Sequence, residues 1–145
     1  MDPAPVPELH AGPLAALLIG LALAPGAIAD SPDVLKALNS IRASGCSGPP
    51  GVSPPLREST PLSAAGKRSA DGASFGDALV ASRYRATRSL LVRIGTTSTQ
   101  SIAPFLANEY CAHVLEAAFT EVGVFQRAGE TRIILAAPFT PPAPP

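Results

Sequence analysis

The chain has 145 residues, with 11 basic and 11 acidic side chains, and 15% of its residues are charged, against about 25% in an average soluble protein. This length fits one domain and argues against two. A nucleic-acid-binding protein needs a clustered excess of Lys and Arg to neutralise phosphates, so a formal net charge of zero argues against that class.

Residues 14–29 form an uncharged apolar segment that ends in Ala27-Ile28-Ala29. Its 16 residues fall short of the about 20 that a membrane-spanning helix needs, whereas the length and the small residues at its end are typical of a secretory signal. We therefore predict a signal peptide over residues 1–29, cleaved before Asp30. The segment before it lacks Lys and Arg, so an uncleaved membrane anchor and a buried core helix remain alternatives.

Cleavage would leave 116 of the 145 residues and remove Asp2 and Glu8, so that 9 acidic residues face 11 basic ones. In an oxidising compartment the two cysteines, Cys46 and Cys111, would form a disulfide bridge. The alternative is a pair of free or metal-binding thiols, although the C-x-x-C spacing of zinc and redox sites is absent.

Helix signals dominate the first half of the expected domain, residues 30–139. Pro32 and Asp33 favour a helix start, and Val34, Leu38 and Ile41 follow at helical spacing up to Gly45. Proline and glycine make residues 47–55 a loop. A second helix is predicted from Thr60 to the stop at residues 71–72, and a short third helix over residues 75–82.

The second half adds strands. The β-rich residues 88–94 predict a strand, and apolar residues at helical spacing predict a single helix over residues 99–117. Two further strands, 121–127 and 131–136, would form a hairpin around Gly129. Residues 140–145 are mostly proline and predict an extended tail or linker. The fold class is therefore α+β, a small sheet covered by helices.

Two motifs contain residues that could catalyse hydrolysis. Residues 72–76 match the G-x-S-x-G pattern of a serine nucleophile around Ser74, but no hydrophobic strand precedes it, which favours an ordinary helix cap. His113, the one histidine left after cleavage, has Glu109 and Glu116 at helical spacing and would be a general base or a metal ligand. An ordinary solvated helix edge explains these three residues as well.

Other polar groups have simple explanations. The arginines of the first strand and its approach could bind an anion, although solvent-facing positions account for them equally: Arg83, Arg85, Arg88 and Arg93. Tyr84 and Tyr110 are expected as half-buried packing residues with satisfied hydroxyl groups.

Seven short motifs follow one another along the chain: Asn39-Ser40-Ile41-Arg42, Gly45-Cys46, Pro55-Leu56, Leu62-Ser63-Ala64-Ala65, Tyr84-Arg85, Tyr110-Cys111 and Phe119-Thr120-Glu121-Val122-Gly123-Val124. Together they resemble a divergent bacterial member of the CAP superfamily of SCP-like secreted proteins. The resemblance implies an α-β-α sandwich, export and a disulfide bond.

The resemblance also implies a cleft metal site of two histidines and two acidic residues, and this chain departs from that pattern. Tyr110 stands where the family has a histidine before its cysteine, and no carboxylate occurs near residues 91–93. We therefore expect no metal, no cofactor and no catalytic residue.

The functional hypothesis is an exported, secreted or periplasmic, non-catalytic binding module for a lipid or cell-envelope ligand, with Glu109, Tyr110 and His113 as candidate ligand-binding residues. The alternatives are a small secreted hydrolase that uses Ser74 or His113, and a structural adaptor anchored by residues 14–29. No nucleic-acid partner and no membrane span after cleavage are expected, and the sequence leaves the oligomeric state open.

Overall fold

The computed structural model describes residues 31–47 and 53–145, and the expected signal peptide lies outside these ranges. The described part is an α+β domain of five helices and one four-stranded mixed sheet. Its elements in chain order are α1 (Ser31–Ser44), β1 (Arg57–Glu58), α2 (Thr60–Ala70), α3 (Phe75–Ala81), β2 (Ala86–Ile94), α4 (Thr99–Glu109), α5 (Cys111–Val114), β3 (Glu121–Arg127) and β4 (Glu130–Pro138).

The strand order in the sheet is β1-β3-β4-β2. The hairpin of β3 and β4 pairs Arg127 with Glu130 at its turn, where Gly129 takes a positive φ of 76°. Strand β2 pairs antiparallel with β4, with a bulge between Ala86 and Arg88, and β1 pairs parallel with the start of β3. Strands β3 and β4 are therefore central in this sheet, and β1 and β2 lie at its edges.

Alternation along the strands places an apolar core on each face of the sheet. Ile133 and Leu135 of β4 face α1, α4 and α5, where they pack with Val34, Leu38 and Leu106. The neighbouring residues of β4 face the opposite way and pack against α2 and α3 in a smaller core, formed by Leu62, Ala65, Ala78, Ile134 and Ala136. Helices thus cover both faces of the sheet.

Helix α2 lies very close to β3 because Gly123 has no side chain. A methyl group added at Gly123 would overlap the Leu62 backbone and the Ser63 nitrogen. The small residues of α2 allow this approach, and Ser63 Oγ accepts a hydrogen bond from the Val124 amide at 3.1 Å. Gly66 of α2 is also close to this strand, since a methyl group there would lie 3.1 Å from the Phe125 Cβ atom, so the close packing of this layer depends on two glycines, chiefly on Gly123.

Three predicted boundaries differ from the structure. The single helix predicted over residues 99–117 is wrong: α4 ends at Glu109, Tyr110 leaves the helical region with a φ of −124°, and α5 is a separate short helix. The strands predicted over residues 88–94 and 131–136 are longer in the structure, because their pairing continues past a bulge between Ala86 and Arg88 to the pair of Ala86 with Pro138. The two-residue strand β1 carries no pattern of its own and exists only through its pairing with β3.

Within residues 31–47 and 53–145, no helix has the length and apolar character needed to cross a membrane. Residues 139–145 form neither helix nor strand and are exposed, as the proline content predicts. The first residue of this segment is held to the domain: the Phe139 amide donates to the Arg85 carbonyl, and the Arg85 guanidinium lies 4.3 Å from the centre of the Phe139 ring.

Candidate ligand-binding groove beside the first helix

Helix α1 is fixed to the sheet by its Asn39 side chain. The Asn39 carbonyl oxygen accepts from the Leu56 amide at 2.7 Å, and its amide nitrogen donates to the Leu56 carbonyl at 3.2 Å. Leu56 directly precedes β1, so this paired contact continues the sheet's hydrogen bonding onto the helix. These two hydrogen bonds fix the position of α1 against the start of β1.

Arg42, one turn further along α1, is fully buried and donates four hydrogen bonds to backbone carbonyl oxygens. Their acceptors lie in two segments: Pro54 at 2.6 Å before β1, and Val114 at 2.7 Å, Glu116 at 3.1 Å and Phe119 at 2.9 Å between α5 and the start of β3. Burial disfavours the charged guanidinium and lowers the pKa of Arg42. The planar fork of an arginine is the side chain that can satisfy so many carbonyls at once.

A disulfide bridge fixes the far end of α1. Cys46 and Cys111 are bonded, with their Cα atoms 6.0 Å apart, so neither thiol of the chain is free. The bridge joins the end of α1 to the start of α5, close to the carbonyls that Arg42 holds. The predicted pairing is confirmed, and it is compatible with an extracellular protein.

Two open depressions flank the outward ridge of this anchored helix. The first, of about 500 Å³, lies between α1 and β1 and is lined by Leu35, Asn39, Ala43 and Glu58 among others. The second, of about 530 Å³, lies between α1 and α4 and is lined by Ala37, Ile41, Thr99 and Ala103 among others. Lys36 and Ser40 line both, so the two form one groove interrupted by the ridge.

The groove combines apolar walls with one cation. Carbon-rich side chains such as Leu35, Ile41 and Ala103 form much of its surface, and the Lys36 ammonium group stands on the ridge between the two halves. Two carboxylates also line it, Asp33 in the half beside α4 and Glu58 in the half beside β1. Volumes of this size match small-molecule sites in proteins, and the apolar walls beside Lys36 fit an amphipathic ligand whose anionic group contacts that ammonium.

The residues predicted to bind a ligand lie elsewhere. Glu109 and His113 are exposed, and Tyr110 is half-buried with its ring 5.6 Å from that of Phe105 and 6.1 Å from that of His113. Because the helix ends at Tyr110, Glu109 and His113 do not share one continuous helix. The depressions beside α1 are lined by other residues, so the structure does not bring these three residues into the groove.

Ser74 is a helix cap. Its hydroxyl oxygen accepts a hydrogen bond from the Asp77 amide at 3.2 Å at the start of α3. His113 lies in the helical layer on the other face of the sheet, because its neighbour Val114 belongs to the larger core. The sheet therefore separates this serine from the histidine, which removes the geometric basis for a serine–histidine pair.

The described ranges contain no group of three or more His, Cys, Asp and Glu side chains that could hold a metal ion. The nearest approach to a catalytic cluster is the Tyr84 hydroxyl, which donates to a Glu121 carboxylate oxygen at 2.5 Å, while Arg57 lies 3.5 Å from the other oxygen. Burial and the neighbouring carboxylate raise the pKa of Tyr84. A phenol held neutral in this way is a poor base, and the contact ties β3 to the segment before β2.

Comparison with protein-family models, with curated proteins and with solved structures gives no match for this chain. The role proposed for the groove therefore rests on its geometry alone.

Asn39 and Arg42 belong to one of the short motifs that carry the family resemblance, whereas the groove residues were not predicted from the sequence. Lys36, Ala37 and Ala103 carry no motif, and their significance arises because α4 packs beside α1. One sequence signal exists: Lys36 is the single exposed basic residue of α1, opposite the stripe of Val34, Leu38 and Ile41, and the exposed Asp33 lies one turn before it.

Proposed function

We propose that this protein is an exported, non-catalytic binding domain, a divergent relative of the CAP superfamily, and that it binds an anionic amphiphile in the groove beside α1. The observation that carries the proposal is the position of Lys36 on the ridge between two depressions whose walls are largely apolar. A carboxylate or phosphate would lie at Lys36, and an acyl chain would lie along Ala37, Ile41 and Ala103.

The rigidity of α1 supports this site. The helix is held by Arg42 at its inner face and by the Cys46–Cys111 bridge at its end, so the groove wall is fixed before a ligand arrives. A preformed site lowers the entropy lost on binding. The disulfide and the predicted signal peptide support an extracellular or periplasmic location, where lipids and envelope components are the available amphiphiles.

The test uses the protein purified after export and dansyl-labelled undecanoic acid as the probe. We expect its fluorescence to rise on binding, and we expect Lys36→Glu to weaken binding by about tenfold, because an attraction to the carboxylate becomes a repulsion. Ala103→Leu should weaken binding to a similar extent, because the larger side chain would fill part of the depression between α1 and α4.

Two matched control variants distinguish a loss of binding in the groove from a general effect of added charge or volume. Arg68→Glu makes the same change of charge on an exposed position of α2, and Ala64→Leu adds the same volume on that helix, across the sheet from the groove. Neither control should change the affinity. Absence of binding, or equal losses in the groove variants and in the controls, would refute the proposed site.

A further inference from the structure

Within the described ranges, strand β2 has a strand partner on only one of its two edges. Eight of its residues pair with β4 on that side, and the sheet order ends at β2. Three consecutive residues, Thr87, Arg88 and Ser89, are exposed, and Leu90 and Leu91 are half-buried. A long edge of this kind presents free backbone amides and carbonyls to any extended chain that approaches it.

The side chains along this edge are basic, which favours an acidic partner. The chain has no Asp or Glu between residues 78 and 108, whereas this stretch contains four arginines. Arg88 and Arg93 lie within β2 itself and are both exposed. Arg88 forms an ion pair with Glu116, and Arg93 forms no salt bridge with any residue of the described ranges.

Arg93 stands beside a second arginine at the end of the strand. Its register partner on β4 is Arg132, whose guanidinium donates to the Ser69 hydroxyl at 2.8 Å. A depression of about 290 Å³ at this corner is lined by both arginines and by Glu130. The Glu130 carboxylate lies near Arg127 and Arg132, which leaves the charge of Arg93 uncompensated.

We propose that β2 accepts an additional strand from an acidic segment of another protein, with a carboxylate of that segment at Arg93. Main-chain hydrogen bonds along Ala86–Ile94 supply the affinity, and the arginines select acidic side chains. A second copy of this chain is a poorer partner, because its own β2 would bring further arginines and no carboxylate to the interface. This inference is independent of the groove beside α1.

The probe is the peptide fluoresceinyl-Glu-Val-Thr-Thr-Val-Glu-amide, labelled at its N-terminus, whose residue order is the same in both directions, so that it presents a glutamate to Arg93 in either orientation. Two comparison peptides separate the contributions: one replaces both glutamates by lysine, and one carries N-methyl groups on alternate backbone nitrogens. We expect the lysine peptide to bind about tenfold more weakly, and the N-methylated peptide to lose binding because the strand hydrogen bonds cannot form.

Arg93→Glu should weaken binding of the glutamate peptide and strengthen binding of the lysine peptide, while Arg68→Glu, an equal charge change on α2, should leave both unchanged. Amide chemical shifts of the labelled protein should change along residues 86–94 on addition of the glutamate peptide. Equal affinity for the N-methylated peptide, equal effects of the two substitutions, or peptide-free dimerisation that Arg93→Glu abolishes would each overturn the proposal.

Discussion

The guanidinium of Arg42 donates a hydrogen bond of 2.7 Å to the carbonyl oxygen of Val114, across 72 positions of the chain. This contact and those to the Glu116 and Phe119 carbonyls join α1 to residues 114–119, which connect α5 to β3, and the fourth contact joins it to Pro54. Residues 115–119 form no helix or strand, so contacts from Arg42 hold much of their backbone in place. The same contacts hold the helix that forms the proposed groove.

Arg42→Lys should destabilise the fold although it keeps the positive charge. A lysine ammonium has three donors on a flexible stem and cannot satisfy four carbonyls in two segments, so buried acceptors are left unpaired. We expect a loss of roughly 2–4 kcal/mol in the free energy of unfolding, measured by urea denaturation. The control is Arg68→Lys on the exposed face of α2, which should change stability by less than about 0.5 kcal/mol. Equal stability of the two variants would contradict the structural role of Arg42.

Gly123→Ala should be strongly destabilising, by about 3 kcal/mol or more, because the added methyl group overlaps the Leu62 backbone and α2 has to move away from β3. Gly76→Ala is the matched control. Gly76 lies inside α3 with no atom within 4 Å of the added methyl group, so alanine should stabilise the protein by about 0.5–1 kcal/mol. Thermal unfolding of both variants gives the comparison, and a neutral Gly123→Ala would show that the α2 contact is not as close as described.

Removal of the disulfide should lower stability by about 4 kcal/mol in the chain-entropy model, since Cys46 and Cys111 are 65 positions apart. The measurement compares urea denaturation of the double variant Cys46→Ser, Cys111→Ser with that of the oxidised protein. Reduction of the wild-type protein should reproduce the loss, and reductant should leave the double variant unchanged. Intact mass under non-reducing conditions provides a direct check, because the bridge removes two hydrogen atoms.

Tyr84 should make the fold sensitive to alkaline pH. Its pKa is raised in the folded protein by burial and by the Glu121 carboxylate, so the unfolded chain loses the phenolic proton at a lower pH than the folded chain does. The stabilisation is therefore fully present below the ordinary tyrosine pKa of about 10 and is lost as the pH rises above it. The measurement is the free energy of unfolding from pH 8 to 11 for the wild type and for Tyr84→Phe.

The expected difference has a definite sign. Above about pH 10 the wild type should lose stability more steeply than Tyr84→Phe, because only the wild type must keep a phenol protonated beside a carboxylate. Tyr110→Phe is the control, since no hydrogen bond or ion pair with an acidic residue restrains that hydroxyl in the described ranges. Parallel curves for the wild type and Tyr84→Phe would contradict the assigned contact.

The sequence by itself determined the elements whose signals are local. Helical spacing of Val34, Leu38 and Ile41 defined α1, the residues after Ser59 defined the start of α2, and Gly129 defined the hairpin turn, because caps and turns act within a few residues. The pairing of Cys46 with Cys111 also followed from the sequence, since no other cysteine competes once export is assumed.

Only the tertiary structure decided where the groove and the open sheet edge lie. Tyr110 ends α4 inside a continuous apolar pattern, so the expected alignment of Glu109 with His113 does not form. The groove exists because α4 packs beside α1, and the exposed edge exists because β4 is the one strand of the described ranges that pairs with β2. These are contacts between residues far apart in the chain, and local propensity carries no information about which elements become neighbours.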